Sequence, residues 1–174
     1  KSSAASDVYK RQVSHNHPEA IKGAQAVAAS IFIALHWTGE IDELKVHIRD
    51  FVTNQFEYNM NRTLNEIRPR YEFDVSCQGS VPEAIIAFLE ADSYEDAIRN
   101  AVSLGGDADT QGAIAGAIAA CVYPIPEYII KECQKRLSDD LLKVVIRFED
   151  YLDNEWQNKI SLPCSCLQPK RETV

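Results

Sequence analysis

The chain has 174 residues, 45% hydrophobic and 25% charged, which suits one globular domain of ordinary size and excludes a disordered or low-complexity polymer. Its net charge of −8, from 18 basic and 26 acidic residues, opposes attachment to nucleic acid or to an anionic membrane, though a bound metal could still hold an anionic ligand. No apolar run reaches the roughly 18–20 residues needed to cross a bilayer, and no basic-then-apolar signal opens the chain, so a cytoplasmic protein is expected. An odd count of five cysteines, widely spaced, reads as reduced thiols. Cys164-Ser165-Cys166 lacks the second pair or the histidines that would complete a zinc site.

Residues 1–12 are small and polar without periodicity and are expected to be a non-native or disordered leader, with the native sequence starting at Val13. Pro18 opens an Ala- and Ile-rich helix reaching about His36, expected to be buried on most of its faces. Thr38 is expected to cap a second helix with the stripe Ile41, Leu44, Val46, Ile48, Phe51 and Val52. Residues 59–79 are polar and irregular around Pro69, with a short helix near 64–68. Ser80-Val81-Pro82-Glu83 has the form of a capping box with proline just inside it, and predicts a helix from there to about Glu90. Ser93 caps the next helix, which Gly105 ends in the left-handed C′ role. A helix of small residues follows over about 109–122. Pro124 and Pro126 end it and start another over 127–137, and Ser138 caps a last helix to about Asp153. No segment alternates with period two over more than four residues. The fold class is therefore all-α: a compact helical bundle over residues 13–156, followed by a patternless tail over 157–174.

The chemistry concentrates in Gly105-Gly106-Asp107-Ala108-Asp109-Thr110. One helix ends at a glycine pair, and two carboxylates and a hydroxyl follow where the next begins. In a non-helical turn alternate residues can point the same way, so Asp107 and Asp109 can converge, with Thr110 as a third oxygen. Hard cations such as Mg²⁺ take oxygen ligands of this type. The competing reading is an N-terminal cap, since Asp and Thr are favoured there by the free N–H groups and the helix dipole. Gly112 and Gly116 favour the ligand reading. Each costs about 1 kcal/mol relative to Ala in a helix interior, a cost tolerated where neighbours must come close.

This motif, continued by Gly112-Ala113-Ile114-Ala115-Gly116-Ala117, resembles the C-terminal metal motif of the ADP-ribosylglycohydrolase family, which includes the dinitrogenase reductase-activating glycohydrolases. The helices beginning Val81-Pro82-Glu83-Ala84 and Ser93-Tyr94-Glu95-Asp96 resemble the two that precede it in bacterial members, and Ser14-His15 resembles the family's Thr/Ser-His segment. The similarity runs from about residue 13 to 151. The resemblance implies an all-α fold around a pair of Mg²⁺ ions and cleavage of the N- or O-glycosidic bond between ADP-ribose and an acceptor. The partner would be an ADP-ribosylated protein or a small ADP-ribose conjugate. It implies Asp107, Asp109 and Thr110 as metal ligands, His15 against the bound ADP-ribose, and Gly105 and Gly106 lining the cleft.

Family members are considerably longer, and their N-terminal half carries a Thr-Asp-Asp cluster that supplies the other ligands. No such cluster precedes His15 here, so the chain is expected to be a C-terminal portion holding half of the metal site, with the catalytic residue outside it. Ser138-Asp139-Asp140 has similar letters but reads as a helix cap. His36 and His47 read as surface or partly buried histidines, His17 as ordering a helix entry, Cys121 as a core thiol, and Glu83 and Glu90 as parts of solvated faces. The alternative function is a non-catalytic relative that binds ADP-ribose or serves a structural role, as the J1-type crystallins of the family do.

Overall fold

The computed structural model describes residues 16–159, with side chains to residue 152. Among the described residues there are eight helices and no strand, as the periodicity requires. They divide into two compact units that meet between Ile125 and Pro126 in the sequence.

The first unit holds α1 (Pro18–His36), α2 (Ile41–Phe56), α3 (Leu64–Ile67), α4 (Cys77–Leu89), α5 (Tyr94–Val102) and α6 (Ala108–Ala119). Its centre is α4, whose residues 80–89 are all buried, Ile85 and Phe88 completely. The helices α1, α3, α5 and α6 all pack against it, α5 packs on α6, and α2 lies against α1. Fully buried Leu44, Ile48 and Val52 of α2 and Ile118 of α6 join the same core. Burial of such side chains contributes about 1.5–3 kcal/mol each before the entropy of ordering is subtracted.

Several local expectations are corrected here. The start of α2 is at Glu40, not Thr38, and Glu40 makes no side-chain capping bond. The indole Nε1 of Trp37 donates to the Glu40 carbonyl at 3.0 Å, so an aromatic ring fixes the entry turn in place of the threonine hydroxyl. The fourth helix starts earlier than the Ser80 signature suggests. Ser76 is its cap, accepting from the Gly79 N–H, and Asp74 Oδ1 in turn accepts from the Ser76 N–H at 2.7 Å. Ser80 lies inside the helix with its hydroxyl bonded back to the Ser76 carbonyl, and Pro82 sits in the interior, where it lacks the usual donor. Residues 80–89 of α4 are all buried, so Glu83 is not on a solvated face: it is 4% exposed and its Oε1 accepts from Arg62 Nη1 at 2.7 Å.

Two helices are buried less completely than their composition suggests. In α1 only the stripe Gly23, Ala26, Ser30 and Ala34 is buried, while Phe32 and Leu35 are exposed. In α6 the residues 111, 112, 115, 116, 118 and 119 face the core. The 3.6-residue turn carries Asp109, Thr110, Ala113, Ala117 and Ala120 to the opposite, exposed face. Cys121 packs partly buried against the core, and its thiol is pushed above its ordinary range by that burial.

The second unit contains α7 (Glu127–Arg136) and α8 (Asp139–Lys159), which begins directly after Ser138 and extends past the expected end near Asp153. Ion pairs one turn apart lace α7: Lys131 to Glu127, and Lys135 and Arg136 to Glu132. The side chains Leu141, Val144, Phe148 and Tyr151 of α8 are exposed. No described helix is long and apolar enough to cross a membrane.

Candidate functional site

The acidic turn is built by the way α5 stops and α6 starts. After Val102, buried Leu104 anchors the chain to the core, and Gly105 turns it with φ 76°, in the left-handed region where glycine carries no steric penalty. Asp107 occupies the N-cap position of α6, and its carbonyl accepts the Gln111 N–H at 2.9 Å. Its side chain makes no capping hydrogen bond. A capping aspartate would use its carboxylate on the N–H groups of the first turn; this one is turned elsewhere.

The carboxyl of Asp109 is held below its ordinary range, first by a side-chain hydrogen bond with Asp107 and then by the backbone N–H groups of Thr110 and Asp109 itself. The Thr110 N–H reaches Asp109 Oδ1 at 3.0 Å. Asp107 is half-buried, whereas Asp109 and Thr110 are exposed. Two neighbouring carboxylates repel unless a proton or a cation lies between them. The side-chain oxygens of Asp107, Asp109 and Thr110 are of the hard type that a divalent cation such as Mg²⁺ takes. The set is small. Among the described residues no three or more His, Cys, Asp or Glu side chains gather as a metal site, so these residues fit part of a coordination sphere and not a closed cage.

Gly105 faces open space, and a Cβ there would meet nothing within 4 Å. Gly106 differs, since a Cβ on it would run into the Tyr71 ring, with Cζ at 3.2 Å and Cδ1 at 3.3 Å and Cε1 closer still. The Tyr71 hydroxyl donates to the Gly79 carbonyl at 2.7 Å and accepts from Gln111 Nε2 at 2.7 Å. Burial raises Tyr71 to about 12, with the negative charges of Glu83 and Asp74 adding to it. Gln111 is completely buried, and among the described residues its Oε1 has no hydrogen-bond partner.

The structure thus brings Gly105, Gly106, Asp107, Asp109 and Thr110 into one turn, while His15 and the Cys164–Cys166 pair lie outside the described residues. His17 caps α1, its Nδ1 accepting from the Glu19 N–H at 3.2 Å. His36 and His47 are exposed and stack on Phe32 and Trp37. Sequence reasoning missed Tyr71, Gln111 and the Arg62–Glu83 pair. Only Gln111, inside the motif, stood where a signal could have been sought; Tyr71 sits in an irregular segment with no periodicity to give its direction.

Comparison with known proteins places the chain in a family. The family model for ADP-ribosylglycohydrolase matches residues 5–159. An ADP-ribosylarginine hydrolase, Tri1, of Pseudomonas putida (strain GB-1) is 26% identical over 128 residues, which cover 71% of this chain and 34% of the relative. The chain thus spans about a third of the length of that curated relative. No solved structure matches it significantly.

Proposed function

The chain belongs to the ADP-ribosylglycohydrolase family, and from that premise we propose that it supplies one part of the site of an Mg²⁺-dependent hydrolase. The reaction would be removal of ADP-ribose from a modified acceptor by cleavage of an N- or O-glycosidic bond. The observation that carries this reading is the side chain of Asp107, which stands at the N-cap of α6 and makes no capping hydrogen bond. In this reading Asp107, Asp109 and Thr110 hold the cation, and Gly105 leaves its backbone open to a ligand. His15 lies against ADP-ribose by resemblance alone. Bound Mg²⁺ would orient the ribose hydroxyls and a water and offset charge as the anomeric bond breaks. This chain's own contribution is positional: the left-handed Gly105 and the start of α6 fix the two carboxylates before any ligand arrives, so little ordering remains to be done on binding. The general acid or base is expected outside these residues. The substrate is an ADP-ribosylated protein or a small ADP-ribose conjugate. The name of the Pseudomonas relative makes ADP-ribosylarginine the first acceptor to try.

The test measures ADP-ribose release from ADP-ribosylarginine with Mg²⁺ and with chelator, on this chain and on any longer product of its gene. Asp107→Asn and Asp109→Asn are compared in parallel. Release that requires Mg²⁺ and falls by about 10²-fold or more in either variant supports the reading. Release in neither protein, or release indifferent to chelator and to both variants, would overturn it.

A further inference from the structure

We propose that Tyr71 is a positioning residue for the acidic turn, holding the backbone of residues 105–110 so that Asp107 and Asp109 face one cation. The inference rests on the metal-site reading above and extends it to a residue outside the motif.

Three contacts converge on this one side chain. Its ring lies flush against Gly106, where even a methyl group would collide with it. Its hydroxyl donates to the Gly79 carbonyl in the first turn of α4. The same hydroxyl accepts from Gln111 Nε2 in the first turn of α6. Tyr71 therefore ties the start of the central helix to the start of the helix that bears the carboxylates, and forms the wall behind the turn between α5 and α6. Its hydroxyl is bonded to Gly79 and Gln111 and to neither Asp107 nor Asp109, so it acts through Gly106 and Gln111.

The Gln111 end of this tie has no substitute. The carboxamide is completely buried, so solvent cannot replace Tyr71 as the acceptor for Nε2, and Oε1 is already without a partner among the described residues. A phenylalanine at position 71 would keep the ring against Gly106 but strand the buried Gln111 Nε2. Relief would come from movement of the first turn of α6, the turn that contains Asp109 and Thr110. The identity of Gly106 has the same cause. Glycine there answers to the ring of Tyr71, whereas Gly105 is required by its backbone angle.

The experiment uses the whole chain with Mn²⁺ as the probe, read by electron paramagnetic resonance, together with amide hydrogen exchange of the metal-free protein. Tyr71→Phe is expected to weaken Mn²⁺ binding about tenfold, the lower end for loss of an outer-shell partner. It is expected to speed exchange at residues 106–111 about tenfold while leaving Ile48 and Val52 of α2 unchanged. Gly106→Ala should have a similar effect alone and add nothing in a Tyr71→Ala background, because the ring it would strike is gone. Thr63→Ala, which removes a capping hydroxyl bonded to Glu66, should leave Mn²⁺ affinity unchanged and so separates positioning from general destabilisation. Unchanged exchange in the turn of Tyr71→Phe overturns the proposal, as does Mn²⁺ affinity within about twofold of the parent or an equal loss in Thr63→Ala. If the parent chain binds no Mn²⁺, the metal-site reading fails, and with it the claim that Tyr71 serves a cation; the exchange measurement still decides whether Tyr71 holds the turn.

Discussion

Gly112→Ala is expected to make the protein more stable, although glycine inside a motif would ordinarily be left alone. Gly112 lies in the interior of α6, and a Cβ built on it meets nothing within 4 Å beyond its own helix. The substitution therefore gains the helix preference of alanine over glycine, about 0.5–1 kcal/mol, with no clash to set against it. For a unit of this size that raises the melting temperature by roughly 2–4 °C. Two neighbours calibrate the reasoning. At Gly116 the new Cβ would come within 2.7 Å of Ile98 Cδ1 and 3.4 Å of the Tyr94 hydroxyl oxygen. Displacing the tip of Ile98 from its rotamer costs about 0.5–1.5 kcal/mol, so Gly116→Ala should fall near zero. At Gly105 there is equal space but φ is 76°, and alanine there should lose about 1–2 kcal/mol from backbone strain alone. Urea denaturation of the three variants reads these values directly. A destabilised Gly112→Ala, or a Gly105→Ala as stable as the parent, would refute the assignment of space and strain to these positions.

Two further outcomes follow from the structure. Arg62→Ala strands the buried Glu83 carboxylate and should cost about 2–4 kcal/mol by chemical denaturation, somewhat below the range for fully buried pairs because Arg62 keeps about a third of its side chain in solvent; Arg62→Ala combined with Glu83→Gln should recover much of that, and failure to recover would show that the pair is not the cause. Glu66 reciprocates the Thr63 cap of α3, and the Thr63 backbone N–H and then its hydroxyl lower the Glu66 carboxyl from its ordinary 4.5. A carboxyl lowered by folding stabilises fully above its unfolded value and loses that effect as pH falls through the folded one. Glu66→Gln should accordingly flatten the stability profile below about pH 4.5 and change little of its slope at neutral pH; an unchanged acid limb would contradict the capping box.

What the sequence disclosed, and what it withheld, has a physical pattern. Helices bounded by an unambiguous local signal were placed well: Pro18 for α1, Ser93 for α5, Gly105 for its end, and the Pro124 and Pro126 pair before α7. Errors arose where a neighbouring side chain took over the local role. The indole of Trp37 displaced Thr38 at the entry to α2, and the Asp74–Ser76 turn moved the start of α4 ahead of Ser80. Glu83, expected on a solvated face, lies in the core because neighbours cover α4 over residues 80–89 and Arg62 pairs with its carboxylate. The acidic turn itself was legible because its residues are contiguous. Its support was not, since Tyr71 lies 40 residues from Gln111, and contacts of that span leave no periodic trace.

The exposed position of Asp109 and Thr110 on the outer side of α6 has a kinetic consequence. Among the described residues of the first unit nothing covers these two side chains, so for a cation held as proposed the rates of arrival and departure would be governed by how fast the ion sheds and regains water, not by any opening of that unit. Chelation and reloading would then be rapid, reversible and free of refolding, and Mn²⁺ could be exchanged for Mg²⁺ by simple competition.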